Sequence, residues 1–202
     1  MGPLWNVIAI TAIVEPAARF CLRRKLFLDF VAHALWTTVA AQAGRRRLAR
    51  ISLGWAAFWG VFPDLFSFAV PAVVRIWWYT TGTTRSLLPD AHSPQHFQYV
   101  WQLYNCSHSL LAFAAVFGIV WAILRRPVLE LLGWALHILL DIPTHQGIFA
   151  VQFLWPVSSF SVQGIRWENF SFMAVNYTLL LLVLGWMWVR SRRLQSSSHW
   201  VR

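Results

Sequence analysis

Residues 51–78 read ISLGWAAFWGVFPDLFSFAVPAVVRIWW, 28 positions in which Asp64 and Arg75 are the sole charges. A helix that crosses the roughly 30 Å hydrocarbon core of a bilayer needs about 20 mostly apolar residues. This run exceeds that length. Working outward from it, the runs 26–44, 108–124 and 170–189 reach or approach the same length, and 127–142 is a shorter fifth. The pattern predicts an all-α, polytopic transmembrane helical bundle with about five membrane-embedded helices plus interfacial helices. The apolar run 4–14 is too short to span and stops at Glu15-Pro16. Residues 1–25 are therefore read as an interfacial or half-inserted segment, 26–190 as a single membrane-embedded helical domain, and 191–202 as a basic polar tail.

Composition excludes the common soluble alternatives. Of 202 residues, 58% are hydrophobic and 12% charged, against about 25% charged in an average soluble domain. A globule of this size has too little interior for that much apolar surface, so a lipid bilayer is the expected partner. The two cysteines, Cys21 and Cys106, form no metal or disulfide spacing pattern.

The net charge of +10 sits in clusters at the ends of apolar runs: Arg23-Arg24-Lys25, Arg45–Arg47 with Arg50, Arg125-Arg126, and Arg190 with Arg192-Arg193. Such placement marks the cytoplasmic flanks of membrane helices, and with no recognition motif in the chain it argues against nucleic acid as a partner. Alternating crossings put the last three clusters on one side; Arg23–Lys25 falls on the other, at odds with the rule. The loops 79–107 and 143–169 then face outward. Ser93-Pro94 reads as a helix start, and Phe97, Val100, Trp101 and Tyr104 follow at helical spacing, so the first loop is expected to carry an interfacial helix.

Ionisable residues inside membrane helices are expensive and point to function. Here Asp29 and His33, and likewise His137 and Asp141, are spaced i, i+4, which places each pair on one helix face. Asp64 follows Pro63, His108 lies between Ser107 and Ser109, and His145 follows Pro143-Thr144, where a turn is expected. One depth near the outer surface can hold all seven. Three carboxylates and four imidazoles offer oxygen and nitrogen ligands for Zn²⁺ or a comparable divalent ion. Seven groups exceed what one tetrahedral ion needs. Two ions, or one ion with carboxylates orienting the imidazoles, both fit. A carboxylate not used as a ligand, with Asp64 and Asp29 as candidates, can serve as general base. Ser109 and Thr144 can position a substrate oxygen or a ligand. Taken singly, each residue has a plainer use: a packed histidine, a kink carboxylate, or a serine N-cap. Together they are better explained by one site. His92 and His96 belong to the loop surface.

The strings Asp29-Phe-Val-Ala-His33-Ala-Leu-Trp36, Phe62-Pro63-Asp64, Ser107-His108-Ser109-Leu110-Leu111 and His137-Ile-Leu-Leu-Asp141-Ile-Pro-Thr-His145 occur in this order. They resemble the motifs of the membrane-bound metal-dependent hydrolases, a bacterial inner-membrane group that includes the YdjM-like proteins. The runs 153–158 and 164–167 are similar to a segment that follows the last motif in one branch. The resemblance covers roughly residues 26–168. It implies a multi-pass helical protein of the bacterial inner membrane, with His33, Asp64, His108, His137, Asp141 and His145 as metal ligands and Asp29 beside them.

The first expectation is thus a metal-dependent hydrolase, with one or two divalent ions, most naturally zinc, activating water near the outer surface. Its substrate would be an ester or phosphoester, amphiphilic or lipid-like, with Arg166 or Arg85 available to an oxyanion. The rival is a non-enzymatic membrane protein that uses the same cluster for structural metal binding or for proton or metal transport. Transport calls for polar groups continuing to the cytoplasmic face, where the helices carry little beyond Gln42 and Glu130. A haem site would leave the carboxylates unused.

Overall fold

The computed structural model describes residues 28–45, 51–83 and 98–198. The N-terminal segment 1–25, Arg23–Lys25, Ser93-Pro94, Arg85, His92, His96 and the end of the tail lie outside them. The described residues form helices and no strand. In chain order these are α1 (28–44), α2 (Leu53–Thr80), α3 (Gln98–Ser107), α4 (Leu110–Leu124), α5 (Leu132–Thr144) and α6 (Phe170–Ser198). Short 3-10 turns at Leu129–Leu131 and Gly147–Phe149 flank α5.

Length and apolarity separate these helices. At about 1.5 Å per residue, α2 and the 24-residue stretch Phe170–Arg193 of α6 are long and apolar enough to cross a bilayer. The pair α3–α4 makes a third span if its two arms, bent by 62°, are taken as one. Among the described residues, two to three helices could thus span a membrane, where about five membrane-embedded helices were expected. The difference has local causes. Ser109 caps α4 by accepting from the amides of Leu111 and Ala112, so the helix starts two residues later than its apolar run and has 15 residues. A 3-10 turn takes the start of the 127–142 run and leaves α5 with 13 residues. Helix α1 is described over 28–44 alone.

The surface is apolar where lipid would lie. Val70, Val73, Ile76 and Trp77 of α2 are exposed, as are Leu181, Leu182, Trp186 and Trp188 of α6, and α4 buries no residue at all. Exposed patches on this scale are foreign to soluble monomers. α3 departs from a helix resting on an interface: Val100 and Tyr104 are buried, and the helix packs along α2.

Two glycines set how closely the helices approach. A Cβ at Gly60 of α2 would lie 2.3 Å from Thr37 Oγ1 of α1. One at Gly133 of α5 would lie 2.5 Å from the Ala56 carbonyl oxygen of α2. Small residues permit backbone contact of this kind in membrane bundles. The result is a tight α1–α2–α5 core, backed by Trp134, Ile138 and Val151 with Trp59, Phe62 and Phe113 around them. α6 joins α1 through polar contacts, Trp36 Nε1 donating to Asn176 Oδ1 at 2.8 Å and Tyr177 Oη to the Leu28 carbonyl at 2.5 Å.

Arg45, Arg125-Arg126, Arg190 and Arg192 gather at one end, opposite the end of α2 that carries Arg75. Ala41, Ile51 and Ala56 cluster with Leu129, and Ser52 N donates to Glu130 Oε1 at 2.9 Å. This brings the start of α2 beside the end of α1, at Arg45, and beside the chain that follows Arg125-Arg126. Gln42, Leu53, Met187, Trp188 and Ser191 line a common crevice, so Arg190 and Arg192 lie at that end too.

Candidate metal centre

Each ligand-type side chain is placed by a local feature of its element. α1 carries Asp29 and His33 one turn apart, with Nε2 and Oδ1 separated by 3.7 Å. In α2, Pro63 leaves the Trp59 carbonyl without its usual helical donor, and the next residue is Asp64, buried. His108 sits in the two-residue break between α3 and α4, so the bend turns its ring into the bundle, fully buried. α5 presents His137 and Asp141 on one face. Pro143 was expected to turn the chain at Ile142. The helix instead continues to Thr144, and the turn falls at His145, which is extended (φ −118, ψ 149). Its side chain still reaches back to Asp141.

The imidazoles converge on the carboxylates. His137 Nε2 lies 3.0 Å from Asp141 Oδ2 and 3.7 Å from Asp64 Oδ1. His108 Nε2 lies 3.3 Å from Asp141 Oδ2 and 3.4 Å from Asp64 Oδ1. The two Nε2 atoms are 3.1 Å apart. His33 Nε2 is 3.0 Å from Asp141 Oδ1, and His145 Nδ1 is 3.5 Å from the same oxygen. His33, His108, His137, Asp141 and His145 are all buried. Asp29 is the most exposed carboxylate of the group, with 17% of its side chain accessible. Burial holds the His145 imidazole below the ordinary histidine range, against the opposing pull of Asp141.

The far side of two rings decides what this convergence means. His137 Nδ1 lies 2.7 Å from the Gly60 carbonyl oxygen, and His108 Nδ1 lies 3.0 Å from the Tyr104 carbonyl oxygen. A carbonyl accepts only, so each Nδ1 donates and carries a proton. In the neutral rings both Nε2 atoms then present lone pairs, aimed at each other and at carboxylate oxygens. Lone pairs cannot face one another in a buried site without a proton or a cation between them. Metal-ligating histidines are oriented by this same kind of outward bond.

The spacing fits an ion. Four ligands about 2.0–2.1 Å from a tetrahedral zinc stand about 3.3 Å from one another. The separations of His108 Nε2 and His137 Nε2 from each other and from Asp64 Oδ1 and Asp141 Oδ2 run from 3.0 to 3.7 Å. One ligand atom from each of these four residues lies within 4.8 Å of every other, and all four residues are buried. The cluster could therefore hold a metal ion.

Several supporting groups were not legible as site residues. Ser67 Oγ donates to the Pro63 carbonyl at 2.8 Å and lies 2.8 Å from Ser107 Oγ, which in turn lies 3.0 Å from His108 Nδ1. The Tyr104 ring stacks on His108 at 3.9 Å. Nothing in their sequence spacing signals these roles, apart from Ser107 being next to His108. Ser109 and Thr144 were expected to position a substrate oxygen or a ligand. Ser109 caps α4 and donates to the Trp155 carbonyl, and Thr144 Oγ1 donates to the Leu140 carbonyl and lies 3.2 Å from His145 Nδ1. Arg166, a candidate oxyanion partner, is exposed and donates to Glu168 at 2.6 Å.

Compared with known proteins, the chain matches no family model, no curated protein and no solved structure.

Proposed function

We propose that the protein is a membrane-embedded, metal-dependent hydrolase that cleaves an ester or phosphoester bond of a lipid-like substrate. The observation that carries this reading is the pair of Nε2 lone pairs of His108 and His137, which share a tetrahedral spacing with two carboxylate oxygens. Asp64, His108, His137 and Asp141 would hold the ion, with zinc the best match to a compact set of two nitrogens and two oxygens. A divalent ion so held supplies Lewis acidity and lowers the pKa of water. Gly60 and Tyr104 fix the tautomers of the rings through their carbonyls. Asp29, beside His33 and the most exposed of the three carboxylates, is placed to take a proton as general base. The resemblance of the four motif strings to membrane-bound metal-dependent hydrolases supports the same reading.

Orientation follows from charge. With the basic end toward the cytoplasm of a bacterial inner membrane, the Asp29 side of the cluster faces away from it, which favours a substrate whose polar bond lies at the headgroup level. A transport path is less well supported. Toward the basic end Glu130 is occupied by the Ser52 amide, and no chain of ionisable groups continues from Asp64 in that direction among the described residues.

The test compares detergent-purified protein stripped by chelator with the same protein reloaded with Zn²⁺ or Mn²⁺, on phospholipids and on nitrophenyl esters and phosphoesters. Metal-dependent turnover is expected, lost in Asp29→Asn while the metal content stays. Metal binding without turnover on any of these substrates would refute the hydrolase reading and leave a metal-binding membrane protein.

A further inference from the structure

A crevice between α1, α2 and α6 lies at the basic end, away from the metal centre. Val39 of α1, Leu53 of α2, and Leu184 and Met187 of α6 wall a hollow of about 230 Å³. Leu184 and Met187 belong to the apolar stretch of α6 that is long enough to cross a bilayer. Toward its other end α6 is held to α1 by the bonds from Trp36 to Asn176 and from Tyr177 to Leu28. At this end the two helices leave space between them. Protein interiors close-pack, and an unfilled void forfeits dispersion contacts. Among hydrocarbon chains, the filler at hand is an acyl chain. The rim of the same hollow is polar and cationic. Gln42 and Ser191 line it one turn beyond the apolar walls. The Arg192 guanidinium stands 5.2 Å from the centre of the Trp188 ring, and Trp188 lines the crevice. Arg45 follows Gln42 by one helical turn. α2 begins at Leu53, so the positive end of its backbone dipole lies here too. Among the described residues the carboxylate at this end is Glu130, and it already accepts from the Ser52 amide.

We infer that this crevice binds an anionic phospholipid, with one acyl chain between α1 and α6 and the phosphate at the rim beside Arg45 and Arg192. Basic residues beside membrane helices attract anionic headgroups, and basic pockets between helices select them. A zwitterionic lipid offers the same chains, but its ammonium group offsets the phosphate, so the charge of the rim favours the anionic class. The lipid completes the packing of α6 against α1 and α2 at the end that the Asn176 and Tyr177 bonds do not reach. It is not the substrate of the metal centre: Gln42 lies nine residues beyond His33, about 14 Å along α1. Its binding therefore needs no metal and stands apart from the hydrolase reading.

Full-length protein, delipidated in detergent and mixed with equal amounts of phosphatidylglycerol and phosphatidylcholine of identical chains, tests this by native mass spectrometry. One phosphatidylglycerol per chain should be retained in preference to phosphatidylcholine, with or without chelator. Arg45→Ala/Arg192→Ala should weaken that retention about 30-fold. Leu184→Trp, which fills the hollow and leaves both arginines, should weaken it as well. Arg125→Ala/Arg126→Ala removes the same charge outside the crevice and should leave retention unchanged. Equal retention of the two lipids by the wild type would overturn the proposal. So would an equal loss in the two arginine pairs, which would assign the lipid to general surface charge, or full retention in Leu184→Trp. The comparison of the arginine pairs decides even if Leu184→Trp fails to fold.

Discussion

His137 and Gly60 are joined across the α2–α5 contact by a hydrogen bond from Nδ1 to the carbonyl oxygen, 2.7 Å long. Gly60, whose lack of a side chain lets α1 come near α2, is also the residue whose carbonyl fixes the tautomer of the imidazole. Packing and chemistry are therefore coupled: the helices must approach to backbone contact for the ring to present its lone pair inward.

That coupling makes Gly133→Ala informative. Its new methyl would meet the Ala56 carbonyl at 2.5 Å, and backbone cannot move aside cheaply. We expect a loss of about 1–3 kcal/mol, typical of overpacking, together with weaker metal binding because α2 carries Asp64 and α5 carries His137 and Asp141. Thermal unfolding and metal titration in detergent measure the two effects. Lower stability with unchanged metal affinity would uncouple them.

The hydroxyls behind His108 act on the metal through the ring. Ser107→Ala removes one of the two groups that Nδ1 can meet and breaks the chain to Ser67. Loss of such an outer contact lowers metal affinity about 10–100-fold. The measurement is competition with a chelator of known affinity, and Ser107→Thr should restore binding. An affinity unchanged in Ser107→Ala would assign the orienting role to the Tyr104 carbonyl alone.

Acid should empty the site. Ligating imidazoles must be neutral, so protons compete with the ion as pH falls toward the ordinary histidine value of about 6.5. His145 adds to stability in the same direction. Its folded-state pKa is lowered by burial, so the unfolded chain takes up the proton first. The stability it lends is present above the unfolded value and is lost as pH falls through the folded one. Metal content and unfolding temperature should therefore both drop between about pH 7 and pH 5. A flat metal content across that window would argue against histidine ligation.

Much of this was legible in the sequence, for definite reasons. Apolar runs locate helices because lipid and a protein core both demand continuous apolar surface, so α2, α4 and α6 follow the hydropathy. The pairs Asp29/His33 and His137/Asp141 follow from the i, i+4 geometry of a helix, which needs no knowledge of the fold. Helix ends were less legible. They depend on which hydroxyl caps, and Ser109 rather than Ser107 caps α4. The role of Pro143 was missed because the bias against helix before proline is a preference, and the helix continues two residues past Ile142. The Gly60 carbonyl, Ser67 and the Tyr104 ring were out of reach altogether. Periodicity tells which face a residue is on and says nothing about which other helix that face will meet.

The inward groups come from positions 29 to 145, and this spread sets an order on biosynthesis. Asp29, His33 and Asp64 are made first, on α1 and α2, and their partners on α5 leave the ribosome more than seventy residues later. Until then two helices hold three ionisable groups with no counterpart from α5, a state that lipid penalises strongly. The early helices are thus poorly suited to partition into the bilayer one at a time. Retention beside the insertion machinery until α5 arrives, followed by release of the assembled group, is the sequence of events that this distribution of charge favours.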